Sequence, residues 1–154
     1  MIFASFGNVP AKLSFTRMAK AVDEFAKNSS EEVLVQVGNT QYDFKYARTV
    51  KFLSHDEMLD KMSEASVLIL SGGWGTISEA SQLGKRIVSV PRRADEHNHP
   101  QEEVVRKLEE MGVVVACYDE KELPTMVERA RTYDFKPILR GSAAKVINDF
   151  LAQL

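Results

Sequence analysis

The amino-acid sequence predicts one α/β domain, in which helices cover both faces of a doubly wound, mostly parallel sheet. Two observations support this fold class. Short apolar runs alternate along the 154 residues with segments whose apolar side chains recur at helical spacing. Several of the apolar runs are continuous, as in strands that are buried on both faces of a parallel sheet. The length is that of a single domain with a substantial core.

Six strands are predicted from the apolar runs at 2–6, 33–37, 49–53, 67–70, 87–90 and 113–117. Gly7, Gly38 and Pro91 end three of these strands. Helical spacing of apolar residues predicts helices over 15–26, 58–65, 77–83, 104–111, 123–130 and 146–154. Ser54 or Asp56 is a suitable N-cap for the second helix, and Gly84 is a suitable residue to end the third.

Composition excludes several classes of protein. The formal net charge of −2 argues against a nucleic-acid-binding protein, which would carry an excess of basic residues. The single cysteine, Cys117, lies in an apolar run, which predicts a buried free thiol and a reducing compartment such as the cytoplasm. No apolar stretch approaches the roughly 20 residues of a membrane-spanning helix, and the first residues lack the features of a signal peptide.

The glycine-rich segment 71–76 is the strongest candidate for a binding site. It follows an apolar strand and precedes a helix, and it contains Gly72, Gly73 and Gly75 within four positions. Glycines let a backbone approach a ligand closely, and the N-terminus of a helix attracts phosphate groups. The segment is neither a Walker A loop nor a GxGxxG motif. A tight turn without a ligand is the alternative interpretation.

Three further positions have two interpretations each. Glu79, in the helix after the glycines, is placed to accept hydrogen bonds from ribose hydroxyls, or it is a solvated side chain that complements the helix dipole. Trp74 is a stacking residue or a surface anchor. His55 is expected to have a structural or capping role in a strand-to-helix turn.

The polar segment 91–101 also leaves a strand and enters a helix. Asn98, His99 and Gln101 are suited to binding hydroxyl groups, and Arg92 and Arg93 are suited to an anion. The alternative is a solvated loop. No metal site is expected, because the sequence has no HExxH motif, no cysteine pair and no third histidine nearby.

Larger blocks of sequence resemble a known family. The stretch Gly72-Gly73-Trp74-Gly75-Thr76-Ile77-Ser78-Glu79-Ala80, the following 84–91, and the polar segment that enters a helix resemble the C-terminal, donor-binding domain of glycosyltransferase family 28. Residues 3–8 and 52–58 are similar to the first and third strand-to-helix turns of that domain. The resemblance implies a Rossmann-like fold, a single C-terminal-type domain of a GT-B enzyme over 1–154, and an inverting, metal-independent transfer without a cofactor.

The resemblance also implies roles for individual residues in holding a UDP-sugar. Residues around the nucleotide would be Gly7 and Asn8 in the cleft, Phe52, Leu53 and Met58 at the uracil, and Glu79 at the ribose. Residues around the diphosphate and sugar would be Ser71, Gly72, Gly73, Trp74, Gly75 and Thr76 in the glycine loop, and Asn98, His99 and Gln101 at the sugar hydroxyls. The sequence departs from the family at Ser71, Trp74 and Pro100, where the family often has histidine, a small residue and histidine.

The type of family member that the chain most resembles is the stand-alone catalytic subunit of a split glycosyltransferase. Subunits of this type serve dolichol-linked N-acetylglucosamine transfer or bacterial exopolysaccharide synthesis. They imply a membrane-anchored partner that binds a lipid-linked acceptor and supplies the general base, with His99 the best substitute within this chain. The chain would then be cytoplasmic and peripheral to the membrane, with a last helix at about 142–154 that packs against the partner.

Two alternatives remain open at the level of sequence. The pattern GGxGTxxE is also similar to the signature of lysine-decarboxylase-like nucleoside monophosphate phosphoribohydrolases, although the additional glycine-rich stretch and catalytic arginine of those enzymes are not found upstream. A non-catalytic nucleotide-binding subunit is the other alternative.

Overall fold

The sheet has six strands, and all of its pairings are parallel. A computed structural model describes residues 1–96, 101–138 and 142–154, and describes only the backbone of 142–144. The strands lie in the order β3-β2-β1-β4-β5-β6. Their bounds are β1 Ile2–Ser5, β2 Val33–Gln36, β3 Arg48–Val50, β4 Val67–Ser71, β5 Ile87–Val90 and β6 Val115–Ala116. The predicted α/β class and doubly wound sheet are confirmed.

Helices cover both faces of this sheet. Their bounds are α1 Thr16–Asn28, α2 His55–Glu64, α3 Trp74–Gln82, α4 Gln101–Glu110, α5 Leu123–Thr132 and α6 Ser142–Ala152. Successive residues of a strand point to opposite faces. Ile2 and Ala4 of β1 therefore pack with α1 and α5, and Phe3 packs with α2, α3, α4 and α6. Each face of the sheet thus has its own buried apolar layer.

The strands at the two edges of the sheet are shorter than the sequence predicts. β3 has three residues and β6 has two, where apolar runs predicted five each. Within the described ranges each of these strands pairs with one neighbour, so the backbone groups along its other edge have no strand partner there. Cys117, just beyond β6, is buried, and burial raises the pKa of its thiol to about 12. The prediction of a buried free thiol is confirmed.

The strand order creates a switch point between β1 and β4. The chain leaves β1 for a helix on one face and leaves β4 for a helix on the other face. In open parallel sheets, ligands bind in the crevice beyond the carboxyl ends of two such strands. Within the part of the chain that the structure describes, no helix is both long and apolar enough to cross a membrane.

Candidate functional site

Loops from β1 and β4 meet at the switch point. Gly7 follows β1 with a φ of 78°, a left-handed conformation that glycine adopts without strain. A Cβ atom placed on Gly7 would lie 3.7 Å from Oγ of Ser71, and one placed on Gly73 would lie 3.8 Å from the same oxygen. The structure therefore brings together three of the residues that the sequence predicted for the cleft and the glycine loop.

The glycine segment enters its helix earlier than the sequence predicts. α3 begins at Trp74, not at Ile77, with Gly73 as its N-cap. Gly75 and Thr76 are consequently helical residues of the first turn, and the first α-helical bond runs from Ile77 N to Gly73 O at 3.2 Å. N–H groups in a first helical turn have no acceptor within the helix, and the N-cap residue, Gly73, has no side chain to accept from them. These groups can donate to an anion at the switch point.

Gly72 is required by the close packing of α4. A Cβ atom on Gly72 would lie 2.9 Å from Cβ of Gln101 and 3.0 Å from Cγ2 of Val105. The Gln101 side-chain oxygen accepts hydrogen bonds from the N–H groups of Gly72, at 3.1 Å, and Arg92, at 2.8 Å. Gln101 is buried and ties the end of β4 to the end of β5. Its contact with a sugar stays a prediction, and the predicted residues Asn98 and His99 lie outside the described residues.

The turn between β3 and α2 carries the residues predicted for uracil. Leu53 N donates to Oε1 of Gln36 at 2.7 Å, and Gln36 Nε2 donates to Oγ of Ser5 at 3.1 Å. The turn is thereby tied to the ends of β2 and β1. Phe52 is 46% exposed, and its ring lies 3.5 Å from where a Cβ of Gly38 would be. Met58 is buried and belongs to the apolar layer on the α3 face of the sheet.

Glu79 contacts a residue for which the sequence predicted a capping or structural role. Nε2 of His55 lies 2.6 Å from Oε1 of Glu79, which joins the start of α2 to the second turn of α3. The hydrogen bond and negative charge of Glu79 raise the pKa of His55 above its ordinary value. Ser54, not His55 or Asp56, is the N-cap of α2. The ribose role of Glu79 stays a prediction.

Arg92 is buried, which the sequence did not indicate. It is 1% exposed, and its guanidinium donates to the backbone oxygens of Phe6, at 2.7 Å, of Leu13 and of Glu96. The guanidinium also lies over the ring of Phe15 at 4.3 Å. Burial lowers the pKa of Arg92 to about 10. The expectation that Arg92 is available to an anionic ligand is wrong, because its donors bind the walls of the site.

Neighbouring charged residues surround this buried arginine. Arg17 of α1 donates to the Glu96 carboxylate at 2.9 Å and to the carbonyl oxygen of Pro91 at 3.0 Å. Arg93 is half-exposed and pairs with Glu120 at 3.1 Å. No periodicity or motif signals this cluster, because its members come from α1, the segment after β5 and the segment after β6.

Trp74 and a surface cavity are two further features of the described residues. Trp74 is partly buried and packs against the apolar layer of its face of the sheet. A cavity of about 680 Å³ lies between α1 and α5, on the opposite face from α3, and its lining includes none of the predicted site residues that the structure describes. In 1–96, 101–138 and 142–154, no three histidine, cysteine, aspartate or glutamate side chains come together as metal ligands.

The fold is that of a Rossmann-like domain, and the N-terminus of α3 lies at its switch point. Residues 9–150 match the glycosyltransferase family 28 C-terminal domain, and the chain belongs to this family. The resemblance inferred from the sequence is confirmed at this level. No curated protein matched the chain by sequence.

Solved structures share the fold. The glycotransferase of kitacinnamycin superposes over 99% of this chain with a TM-score of 0.64 and 14% identity. UDP-GlcNAc 2-epimerase of Methanocaldococcus jannaschii, solved with UDP-GlcNAc and UDP, superposes over 99% of this chain with a TM-score of 0.64 and 12% identity. MurG of Acinetobacter baumannii superposes over 99% of this chain with a TM-score of 0.52 and 18% identity. The chain covers 38%, 45% and 49% of these three structures. It therefore corresponds to less than half of each.

Proposed function

We propose that this chain is the donor-binding, catalytic part of a glycosyltransferase that moves a sugar from a UDP-sugar to a lipid-linked acceptor. One observation carries the proposal: the uncapped N-terminus of α3 lies at the switch point, beside Gly7 and Ser71. Membership of glycosyltransferase family 28 supports a glycosyl donor as the ligand. The epimerase structure with UDP-GlcNAc and UDP supports a uridine nucleotide.

The chemistry requires stabilisation of a leaving group. Negative charge develops on the diphosphate of UDP as the bond to the sugar breaks. First-turn N–H groups of α3, at Gly75 and Thr76, would donate to this diphosphate and stabilise that charge without a metal ion. Attack by an acceptor hydroxyl from the opposite side of the sugar would invert the anomeric centre. This attack needs a general base within hydrogen-bond reach of the hydroxyl.

We assign the general base to a partner, with His99 as the candidate within this chain. An acceptor must approach the sugar from outside the crevice that this domain forms, so a second subunit would complete the cleft. We propose that this subunit is membrane-anchored, and that it holds the chain at the cytoplasmic face of a membrane for polysaccharide or oligosaccharide synthesis. The segment formed by α6 and the two residues after it is the proposed contact, since Val146 of α6 and Leu154 beyond its end are about half exposed.

Calorimetry with UDP tests the donor site. Glu79→Ala should weaken UDP binding by about 1–3 kcal/mol, the typical value of a hydrogen bond to a charged group. Glu64→Ala is the matched control, since Glu64 is an exposed glutamate at the end of α2 and pairs with Lys61. The control should bind UDP as the unmodified chain does.

Two outcomes would contradict the proposal. If UDP did not bind, with or without the partner, the donor site would be refuted. If the purified chain released free base from AMP, the phosphoribohydrolase alternative would replace it. Sugar transfer to a lipid acceptor by the chain alone would refute only the role of the partner.

A further inference from the structure

The contact between His55 and Glu79 joins two separate loops at the carboxyl edge of the sheet. His55 is the first residue of α2, which follows β3, and Glu79 belongs to α3, which follows β4. Their side chains are 66% and 40% exposed. An ion pair this exposed adds little to the free energy of folding. Its main consequence is geometric, because it restricts where the Glu79 carboxylate can lie.

The backbone that carries His55 is itself held in place. Ser54 Oγ accepts from Glu57 N at 3.2 Å, while Glu57 Oε2 accepts from Ser54 N at 2.8 Å. This reciprocal capping box fixes the first turn of α2. Leu53, which precedes the N-cap Ser54, donates a hydrogen bond to the Gln36 side chain, and this side chain donates to Ser5 of β1. His55 is therefore a hydrogen-bond donor on a fixed support.

Glu79 needs such a donor for the role proposed for it. A carboxylate has two oxygens with several acceptor positions, and a free glutamate side chain loses rotamer entropy when it binds a ligand. His55 occupies Oε1, and in the described part of the chain Oε2 has no hydrogen-bond donor. A carboxylate has about four acceptor positions on its two oxygens, so an oriented Glu79 can accept from two ribose hydroxyls while His55 bonds Oε1.

We infer that His55 is a positioning residue, which holds the Glu79 carboxylate in the orientation that binds the ribose of the donor nucleotide. The inference rests on the proposed function, since it assumes that a nucleotide occupies the switch point. His55 would not contact the sugar being transferred. It would act on affinity through Glu79 alone.

A double-mutant cycle tests this dependence, with UDP affinity measured by calorimetry on the full chain. His55→Ala should weaken UDP binding about 3- to 10-fold in the unmodified chain, and should have no effect when Glu79 is already alanine. Lys61→Gln is the control, because it removes a positive charge from the same helix without contacting Glu79. Thermal unfolding of each variant verifies that it is folded.

The pH dependence of UDP binding distinguishes the positioning role of His55 from a purely structural one. A purely structural role would not make UDP affinity follow the titration of His55. The charged groups that act on His55 are Glu79 from α3 and Asp56 from its own helix. Because the pKa of His55 is raised, its positive charge is complete at low pH and is lost as pH rises through that raised pKa. UDP affinity should therefore fall with rising pH more steeply for the unmodified chain than for His55→Gln. The titration of UDP itself is common to both proteins.

The outcomes separate this inference from the proposed function. If UDP binds and His55→Ala weakens it equally with and without Glu79, or has no effect, the positioning role is overturned and the donor site stands. If the unmodified chain does not bind UDP, with or without the partner, the donor site and the positioning role fail together. A smaller effect of His55→Ala on 2′-deoxy-UDP than on UDP would support the ribose as the group that Glu79 binds.

Discussion

A buried guanidinium is costly unless hydrogen bonds and negative charge compensate for its lost hydration. Arg92 satisfies this condition with the backbone oxygens of Phe6, Leu13 and Glu96 and with the face of the Phe15 ring. These partners belong to the segments that follow β1 and β5. One side chain thus fixes two walls of the proposed donor site, although it is not free to bind the donor.

Replacing Arg92 should therefore destabilise the protein strongly. Arg92→Met removes the donors but keeps much of the apolar length, so the oxygens of Phe6 and Leu13 lose their partner in a buried place. We expect a loss of about 2–4 kcal/mol in the free energy of unfolding, measured by urea denaturation. Arg93→Met is the control, since Arg93 is half-exposed, and it should cost less than about 1 kcal/mol. Equal losses at both positions would contradict this account.

At the scale of elements, the sequence predicts the buried parts of the fold and misses its starts and edges. The runs that form β1, β4 and β5 are apolar because both faces of these strands are covered, and that pattern is local. The residue at which α3 begins, in contrast, is not determined by the local sequence pattern. Glycine is a poor helix former, yet Gly75 is helical because Trp74 packs on the core and because α4 fits against Gly72.

The contact between α4 and the glycine loop can be tested with two glycines. Gly72→Ala places a Cβ atom 2.9 Å from Gln101, so the side chain that bonds Gly72 N and Arg92 N has to move. We expect a loss of about 1–3 kcal/mol in the free energy of unfolding. Gly75→Ala is the matched substitution, because among the described residues no atom outside its chain neighbours and its own helix backbone lies within 4 Å of its Cβ position. It should leave stability unchanged or raise it by up to about 1 kcal/mol.

Measurements of UDP binding on the same two variants separate packing from ligand contact. Gly75→Ala should weaken UDP binding while the protein stays as stable as before, since its side chain would enter the space in front of the first helical turn. If Gly75→Ala lowered the free energy of unfolding as much as Gly72→Ala, the conclusion that a Cβ on Gly75 meets open space would be wrong.

Across the whole molecule, the candidate site lies at the carboxyl ends of the strands, and a separate group of structural contacts lies at their amino ends. The sequence predicts the carboxyl edge as the candidate site, because glycine, serine and glutamate follow apolar runs there. It could not predict the partners of Gln101, Arg92 or Glu79, since each contact joins segments distant in sequence. At the amino edge, Glu31 accepts hydrogen bonds from Ser66 Oγ at 2.6 Å and Arg131 Nη2 at 2.7 Å. It thereby links the segments before β2 and β4 to α5.

Glu31 should make the stability of the whole fold depend on acid pH. The hydrogen bond from Ser66, followed by the hydrogen bond and charge of Arg131, lowers the pKa of Glu31 from 4.5 to about 2. A carboxylate with a lowered pKa in the folded state stabilises the protein above its unfolded pKa, and this stabilisation is lost as pH falls from about 4.5 to about 2. Glu31→Gln should lower the free energy of unfolding by about 1–3 kcal/mol at pH 7, and the difference from the unmodified chain should shrink over that acid range.

Glu32→Gln is the control, since Glu32 pairs with Arg48 at the exposed surface. Urea unfolding at several pH values measures both variants, and a constant difference for Glu31→Gln between pH 7 and 2 would refute the assignment.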